Sequence, residues 1–288
     1  MEKDTIRQIR EGLARAGIIT ADTQPEADGS FFDVIAVNGR ITEGTGCRVF
    51  SDAGKAGAKA GAIYEKAWFE HEISMSMYHE APELFICPYM PPVPFEAEGR
   101  GYYAFLTEAG VPLAAVSESS TDFCVSLMTD ICRALDILHH NGHIHSYISP
   151  ASIVMKSGRF CLTGFGEAAA SCRKIDQFTA PEIINGFCMP RSDIYSLAMV
   201  VRSLITDADE LPQYIADTDV ICERKRHLLP LNSEDPYRDR LLAILNKGAA
   251  YSPFDRYSSP SAMLKDLEEL AENAGKDGRN EEYVHIVV

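Results

Sequence analysis

A chain of 288 residues with 46% hydrophobic and 24% charged side chains has the makeup of an ordinary globular protein, long enough for one large domain or two lobes. A formal charge of −15 and a pI near 4.9 argue against nucleic acid or an anionic membrane surface as partner, because phosphate backbones are bound by clustered Lys and Arg. Eight cysteines without a C-x-x-C pair read as buried thiols of a reducing, cytoplasmic compartment; nothing resembles a secretory leader, and the longest apolar run, YSLAMVVRSLI, contains Arg202 and is too short to insert in a bilayer.

Ile6, Ile9 and Leu13 recur at helical spacing, so residues 2–17 are expected to form an amphipathic helix stopped by Gly17. The turn-rich ADTQPEADGS (21–30) reads as a linker. From 31 to 108 the texture is strand-like: FFDVIAV, RITEGTGCRVF, AIYEKA, ELFIC and YYAFL, with one helical piece, EKAWFEHEISMSMYH. The Gly/Ala-rich SDAGKAGAKAG (51–61) reads as a flexible strand connection.

After about 110 the pattern turns helical. Phe123, Leu127, Ile131, Leu135 and Leu138 line one face of 121–142, which Gly142 ends. SDIYSLAMVVRSLIT is apolar on most sides, which predicts a buried helix. DRLLAILNKG is a third helix, and a fourth starts at Ser259-Pro260 and runs to Gly275. This predicts an α+β fold with an N-terminal helix and linker (1–27), a small β-rich lobe with one helix (28–108), a larger mainly helical lobe (109–274) and a tail (275–288).

One segment stands apart. Residues 143–167, HIHSYISPASIVMKSGRFCLTGFGE, have the layout of a site: a polar loop, then a hairpin turning at Ser157-Gly158, then a Gly-flanked Phe. Yet 143–172 hold one carboxylate, Glu167, in a chain with 42.

The pieces ALDILHHNGHIHSYISPASIVM, LTGFGEA, TAPEI, SDIYSLA and DRYSSPSAMLKDL, in that order, resemble the C-terminal lobe of a protein kinase. The resemblance implies a bilobal kinase-like fold and a comparison position by position. Tyr147 stands where the catalytic Asp belongs, Ser146 at the preceding Arg, and Ser149 at the catalytic-loop Lys. Ser152 replaces the metal-binding Asn and Gly164 the metal-binding Asp. Retained are His145, Pro150, Phe165, Gly166, Glu182, Asp193 and Arg256. For several of these the family implies structural roles: a buried Glu182–Arg256 ion pair, Asp193 accepting from the catalytic-loop backbone, and His145 with Phe165 in a column joining the lobes.

In the first lobe, ITEGTGCRVF is similar to the phosphate-covering turn, with only its middle glycine kept, as Gly44. Counting on from Val49 puts Ala62 at the adenine-lid Ala and Tyr64 at the phosphate-pairing Lys, with Lys59 or Lys66 as substitutes if the register slips. Glu72 is the expected helix Glu. Mg²⁺ needs anionic oxygens, which Gly164 lacks and Ser152 offers only as a neutral hydroxyl, and tyrosine's ordinary pKa near 10 makes Tyr147 a poor base. The implied function is therefore a pseudokinase that binds another protein, with no metal or cofactor. ATP without magnesium stays open as a ligand of the cleft. The rival is a weak or atypical kinase or nucleotidyl transferase with relocated residues. The first helix and the apolar ending YVHIVV leave self-association open, Ser171 and Thr179 offer hydroxyls for phosphorylation, and the His139, His140, His143, His145 run and Glu167 raise a weaker metal hypothesis.

Overall fold

Ile9 and Leu13 disappear into the protein from helix α1 (Lys3–Arg15), and Gly17, at φ +83°, turns the chain out of it. The structure is a computed structural model that describes residues 3–21, 31–50, 60–165, 175–206, 222, 225–226, 228 and 230–276. Helix α1 lies on a five-stranded antiparallel sheet built from β1 (Ile18–Thr20), β2 (Phe31–Val37), β3 (Arg40–Phe50), β4 (Val93–Ala97) and β5 (Arg100–Glu108), in the order β1-β2-β3-β5-β4. Side chains alternate across a strand. Cys47 and Val49 of β3 and Tyr102, Ala104 and Leu106 of β5 therefore share one face, and they pack with Ile9 and Leu13.

The fit of α1 is close. A Cβ at Gly12 would lie 2.6 Å from the Glu96 carbonyl oxygen and 2.8 Å from the Phe95 ring. Gly→Ala in a helix normally gains about 1 kcal/mol. Here overpacking against backbone outweighs that gain, and Gly12→Ala is expected to destabilise by about 1–3 kcal/mol in urea unfolding.

The opposite face of the sheet carries helix α2 (Ala60–Glu80), whose Ala67 meets Phe105 of β5. This differs from expectation. The run AIYEKA is the first part of this one long helix, not a strand. Alanines at 60, 62 and 67 favour helix, and a short apolar run does not by itself separate the two states. ELFIC is not a strand either: Phe85 and Pro88 make only isolated bridges, to Leu162 and Thr107. In its place β4 pairs with β5 around a Glu98-Gly99 turn with φ of 53° and 68°, as a two-residue hairpin requires. The sheet also begins at Ile18, so α1 and β1 belong to the body of the smaller lobe. The linker region 22–30 and the connection at 51–59 lie outside the described residues.

Between the lobes the chain is short. β5 ends at Glu108, and β6 (Val111–Pro112) already pairs with β7 (Ile153–Lys156), which pairs with β8 (Arg159–Leu162) through the Ser157-Gly158 turn. A Cβ on Gly110 would sit 3.1 Å from both Val154 Cβ and the Met155 carbonyl oxygen. Lys156 Nζ reaches back to Glu108 at 2.7 Å, fastening the crossing to the floor of the cleft.

The larger lobe forms around α5 (Pro190–Ile205), nearly all of it buried, as its apolar circumference predicts. Around it stand α3 (Thr121–His140), capped by Ser120, short α4 (Pro181–Ile184), α6 (Pro236–Gly248), capped by Asp235, and α7 (Pro260–Lys276), where Ser259 Oγ accepts the Ala262 amide at 3.1 Å. The described cysteines are free thiols. Burial pushes Cys47 and Cys124 up to about 12 and Cys161 to about 11, which leaves them unreactive. Among the described residues no helix is long and apolar enough to cross a membrane.

Candidate functional site

The loop before β7 is organised by one carboxylate. Asp193 on α5 is fully buried and accepts three hydrogen bonds: from the His145 amide at 2.9 Å, the Ser146 amide at 2.7 Å and His139 Nε2 at 2.8 Å. Ser146 is held at φ +65°, a strained value for a residue with a side chain, and its Oγ lies 2.8 Å from Cys188 Sγ. His145 Nε2 faces the Thr163 carbonyl at 2.9 Å and Nδ1 faces the Tyr147 amide at 3.3 Å. A carbonyl can only accept and an amide only donate, so the ring carries its proton on Nε2. Burial pushes its pKa down, helped by Arg48 and opposed by Asp193, the Thr163 carbonyl and Glu70, and keeps it neutral. The His145 and Phe165 rings are 5.2 Å apart, and Phe85 lies 6.2 Å beyond Phe165, so the column between the lobes is present.

The four histidines do not converge. His139 serves Asp193, His145 the Thr163 carbonyl, and His140 Nδ1 the Asp136 carbonyl at 2.7 Å. Among the described residues no three His, Cys, Asp or Glu side chains come together as a metal site.

Ser149 and Ser152 are both buried and bonded to each other. The Ser152 hydroxyl takes the Ser149 amide at 3.0 Å and donates to the Ser149 carbonyl at 3.0 Å. The hydroxyl that stands at the family's metal-binding Asn is thus engaged in closing a turn. Gly164 stands next to it: a Cβ there would be 3.2 Å from Ser152 Cβ. Tyr147 is half-buried in the same loop.

Two residues that the sequence reading missed complete the cleft. Glu70, fully buried on α2, accepts the Gly164 amide at 3.0 Å. Arg48 on β3 brings Nη1 to 3.0 Å from the position a Gly164 Cβ would occupy. An acid and a base therefore flank Gly164, a position with neither charge nor side chain. Glu72, the expected helix Glu, is exposed. The spacing holds the reason: Ala67, Glu70, Ser74 and Met77 follow the buried stripe of α2, and position 72 falls on its far side.

The expected phosphate-covering turn also fails. Residues 40–50 form one continuous strand, with Gly44 inside it, and Val49 faces α1 on the side away from Gly164. Ala62 and Tyr64 lie on α2, not on a strand, so the count that assigned them has no basis. The alternation in GCRVF could have located Arg48, since Cys47 and Val49 go to the apolar face and the residue between them must face the cleft.

Past the cleft, Asp176 Oδ1 receives the amides of Phe178 and Thr179 at 2.9 and 3.0 Å and the Thr179 hydroxyl at 3.0 Å. Thr179 is buried in this turn, which removes it as an accessible phosphorylation site. Gly166, Glu167 and Ser171, together with the tail, lie outside the described residues. Glu182 and Arg256 form a bidentate pair at 2.7 and 2.9 Å.

No protein-family model matches the chain. It is similar to the serine/threonine-protein kinase PknB of Mycolicibacterium smegmatis, 27% identical over 171 residues, which are 53% of this chain and 27% of that protein. It is also similar to the serine/threonine-protein kinase PknH of Mycobacterium bovis, 28% identical over 169 residues, 53% of this chain and 28% of the other. The match thus spans only about a quarter of each curated relative. Among solved structures, a single-site mutant of the Mycobacterium tuberculosis PknI kinase domain superposes with a TM-score of 0.60 at 21% identity, covering 89% of this chain and 96% of that one. The chain has the bilobal protein kinase fold.

Proposed function

We propose that this kinase-like domain is a pseudokinase: a two-lobed body that binds or regulates another protein and does not transfer phosphate from Mg-ATP. The observation that carries the reading is the surrounding of Gly164, where Glu70 takes the backbone amide and Arg48 fills the side-chain space. Phosphoryl transfer needs a divalent ion on hard, anionic oxygens and a carboxylate to orient the attacking hydroxyl. At the corresponding positions stand a glycine, a hydroxyl that closes its own turn, and Tyr147. Losing one positioned base lowers a rate by about 10²–10⁴, and here both metal ligands are missing as well.

Arg48 also supports a narrower reading of the cleft. A guanidinium can hold a phosphate oxygen without metal, so a nucleotide bound there would be ATP without magnesium. Titrating the chain with ATP, with and without Mg²⁺, while following Tm and ³²P transfer tests both points. We expect no transfer, and any rise in Tm to be the same with and without Mg²⁺. A rise that requires Mg²⁺, or label passed to a protein, would establish the rival, a weak kinase with relocated residues.

A further inference from the structure

Lys225 is 1% exposed, and lysines are seldom buried to that degree. Its Nζ donates to the Gln177 carbonyl at 2.7 Å and lies 5.2 Å from the centre of the Tyr195 ring, which Arg256 also covers at 4.7 Å. Next to it, Arg226 lies over the Tyr251 ring at 5.0 Å, on a residue whose carbonyl accepts from Arg256. Two consecutive basic residues thus fasten one piece of chain, the first to the strip 175–180 and the second to the turn that supports the Glu182–Arg256 pair.

Among the described residues, the groups facing Lys225 are Asp176 on the strip, Glu182 on α4, Tyr195 on α5, Arg256 after α6, and Cys222 on its own segment. The carboxylates favour the ammonium, Arg256 disfavours it, and burial outweighs both, lowering the pKa from 10.5 to about 7. The Tyr195 hydroxyl is itself buried with no partner among the described residues.

We propose that Lys225 is a proton-controlled pin: inserted, it ties Gln177 to the face of Tyr195, and protonation drives it toward water and loosens the strip that leads into α4. The direction follows from linkage. An exposed lysine is charged below about 10.5, whereas the inserted one resists the charge down to about 7. Insertion is therefore strongest at high pH, weakens as pH falls between those values, and is level below the lower one, by up to about tenfold per unit. The strip carries the Asp176 turn and leads directly into Ala180-Pro181-Glu182, so the pin sets how firmly the surface beyond the cleft is presented.

Amide exchange of residues 177–180 in the whole chain, corrected for the intrinsic rate at each pH, tests this. Protection is expected to rise at least about tenfold from pH 7 to pH 9 in the wild type. Lys225→Met, which has no proton to bind, should show protection that does not change between the two pH values, and Lys225→Arg, which cannot lose its charge, should likewise stay flat and no higher than the wild type at pH 7. A wild type with equal protection at the two pH values overturns the proposal. So does a pH trend that survives in Lys225→Met. Should that variant not fold, the ¹³Cε titration of Lys225 in the wild type decides: a midpoint near 7 upholds the pin, and one above 10 removes it.

Discussion

Arg256→Ala is expected to lower the free energy of unfolding by about 3–5 kcal/mol, measured by urea denaturation. Arg256 is 4% exposed, and its guanidinium makes two bonds to the Glu182 carboxylate, at 2.7 and 2.9 Å. It also serves the Ala250, Arg191 and Tyr251 carbonyls at 2.7, 3.0 and 2.9 Å. Truncation leaves a buried carboxylate whose remaining hydrogen-bond donor among the described residues is the Ser192 hydroxyl at 2.7 Å, and three carbonyls without this donor. Most of the loss is this unpaired charge rather than the intrinsic worth of the ion pair. The double variant Glu182→Gln with Arg256→Met should therefore lose less than Arg256→Ala alone, although it removes more charge. If the double variant is the less stable of the two, desolvation is not the dominant effect and the pair is a net stabiliser in its own right.

The same pair shows what could be read from the sequence. The larger lobe was legible because its helices are long and periodic: 121–140 shows its apolar stripe and 190–205 its apolar circumference. Five motif fragments also fixed positions such as Asp193 and Arg256 relative to one another. The smaller lobe was not. The resemblance of ITEGTGCRVF to a phosphate-covering turn put a bend at Gly44, but 40–50 is strand: Gly46 pairs with both β2 and β5, Gly44 falls where the β2 register shifts, and this pairing cannot be seen locally. GAIYEKA alternates over too few residues to reject a helix. Once the strand was misplaced, the lysine count landed on Tyr64, and Arg48 and Glu70, which meet at Gly164, went unnoticed. The scarcity of acids in 143–172 has a structural counterpart: the carboxylates serving that segment, Asp193, Glu70 and Asp130, come from helices elsewhere, Asp130 accepting the Phe160 amide at 3.1 Å.

Asp193→Ala should be at least as damaging, costing about 3–6 kcal/mol, with Asp193→Asn in between. The side chain is wholly buried and satisfies two backbone amides and an imidazole. Each buried donor left without an acceptor costs about 1–3 kcal/mol, and bonds to a charged acceptor lie toward the upper end. Asparagine keeps one oxygen but turns an NH₂ toward the other donors, so it restores only part of the network. The loss should also propagate. Ser146 keeps its φ of +65° only while Asp193 holds its amide, and its neighbour His145 is the lower ring of the column that reaches Phe165 and Phe85. With Asp193 gone, the loop can relax Ser146 into an ordinary conformation, and His145 leaves Phe165 as it does so. Amide spectra of Asp193→Ala should therefore show changes at Phe85, at the far end of the column, as well as in the 143–149 loop. A penalty under about 1 kcal/mol, or changes confined to the loop, would mean that the column stands without this carboxylate.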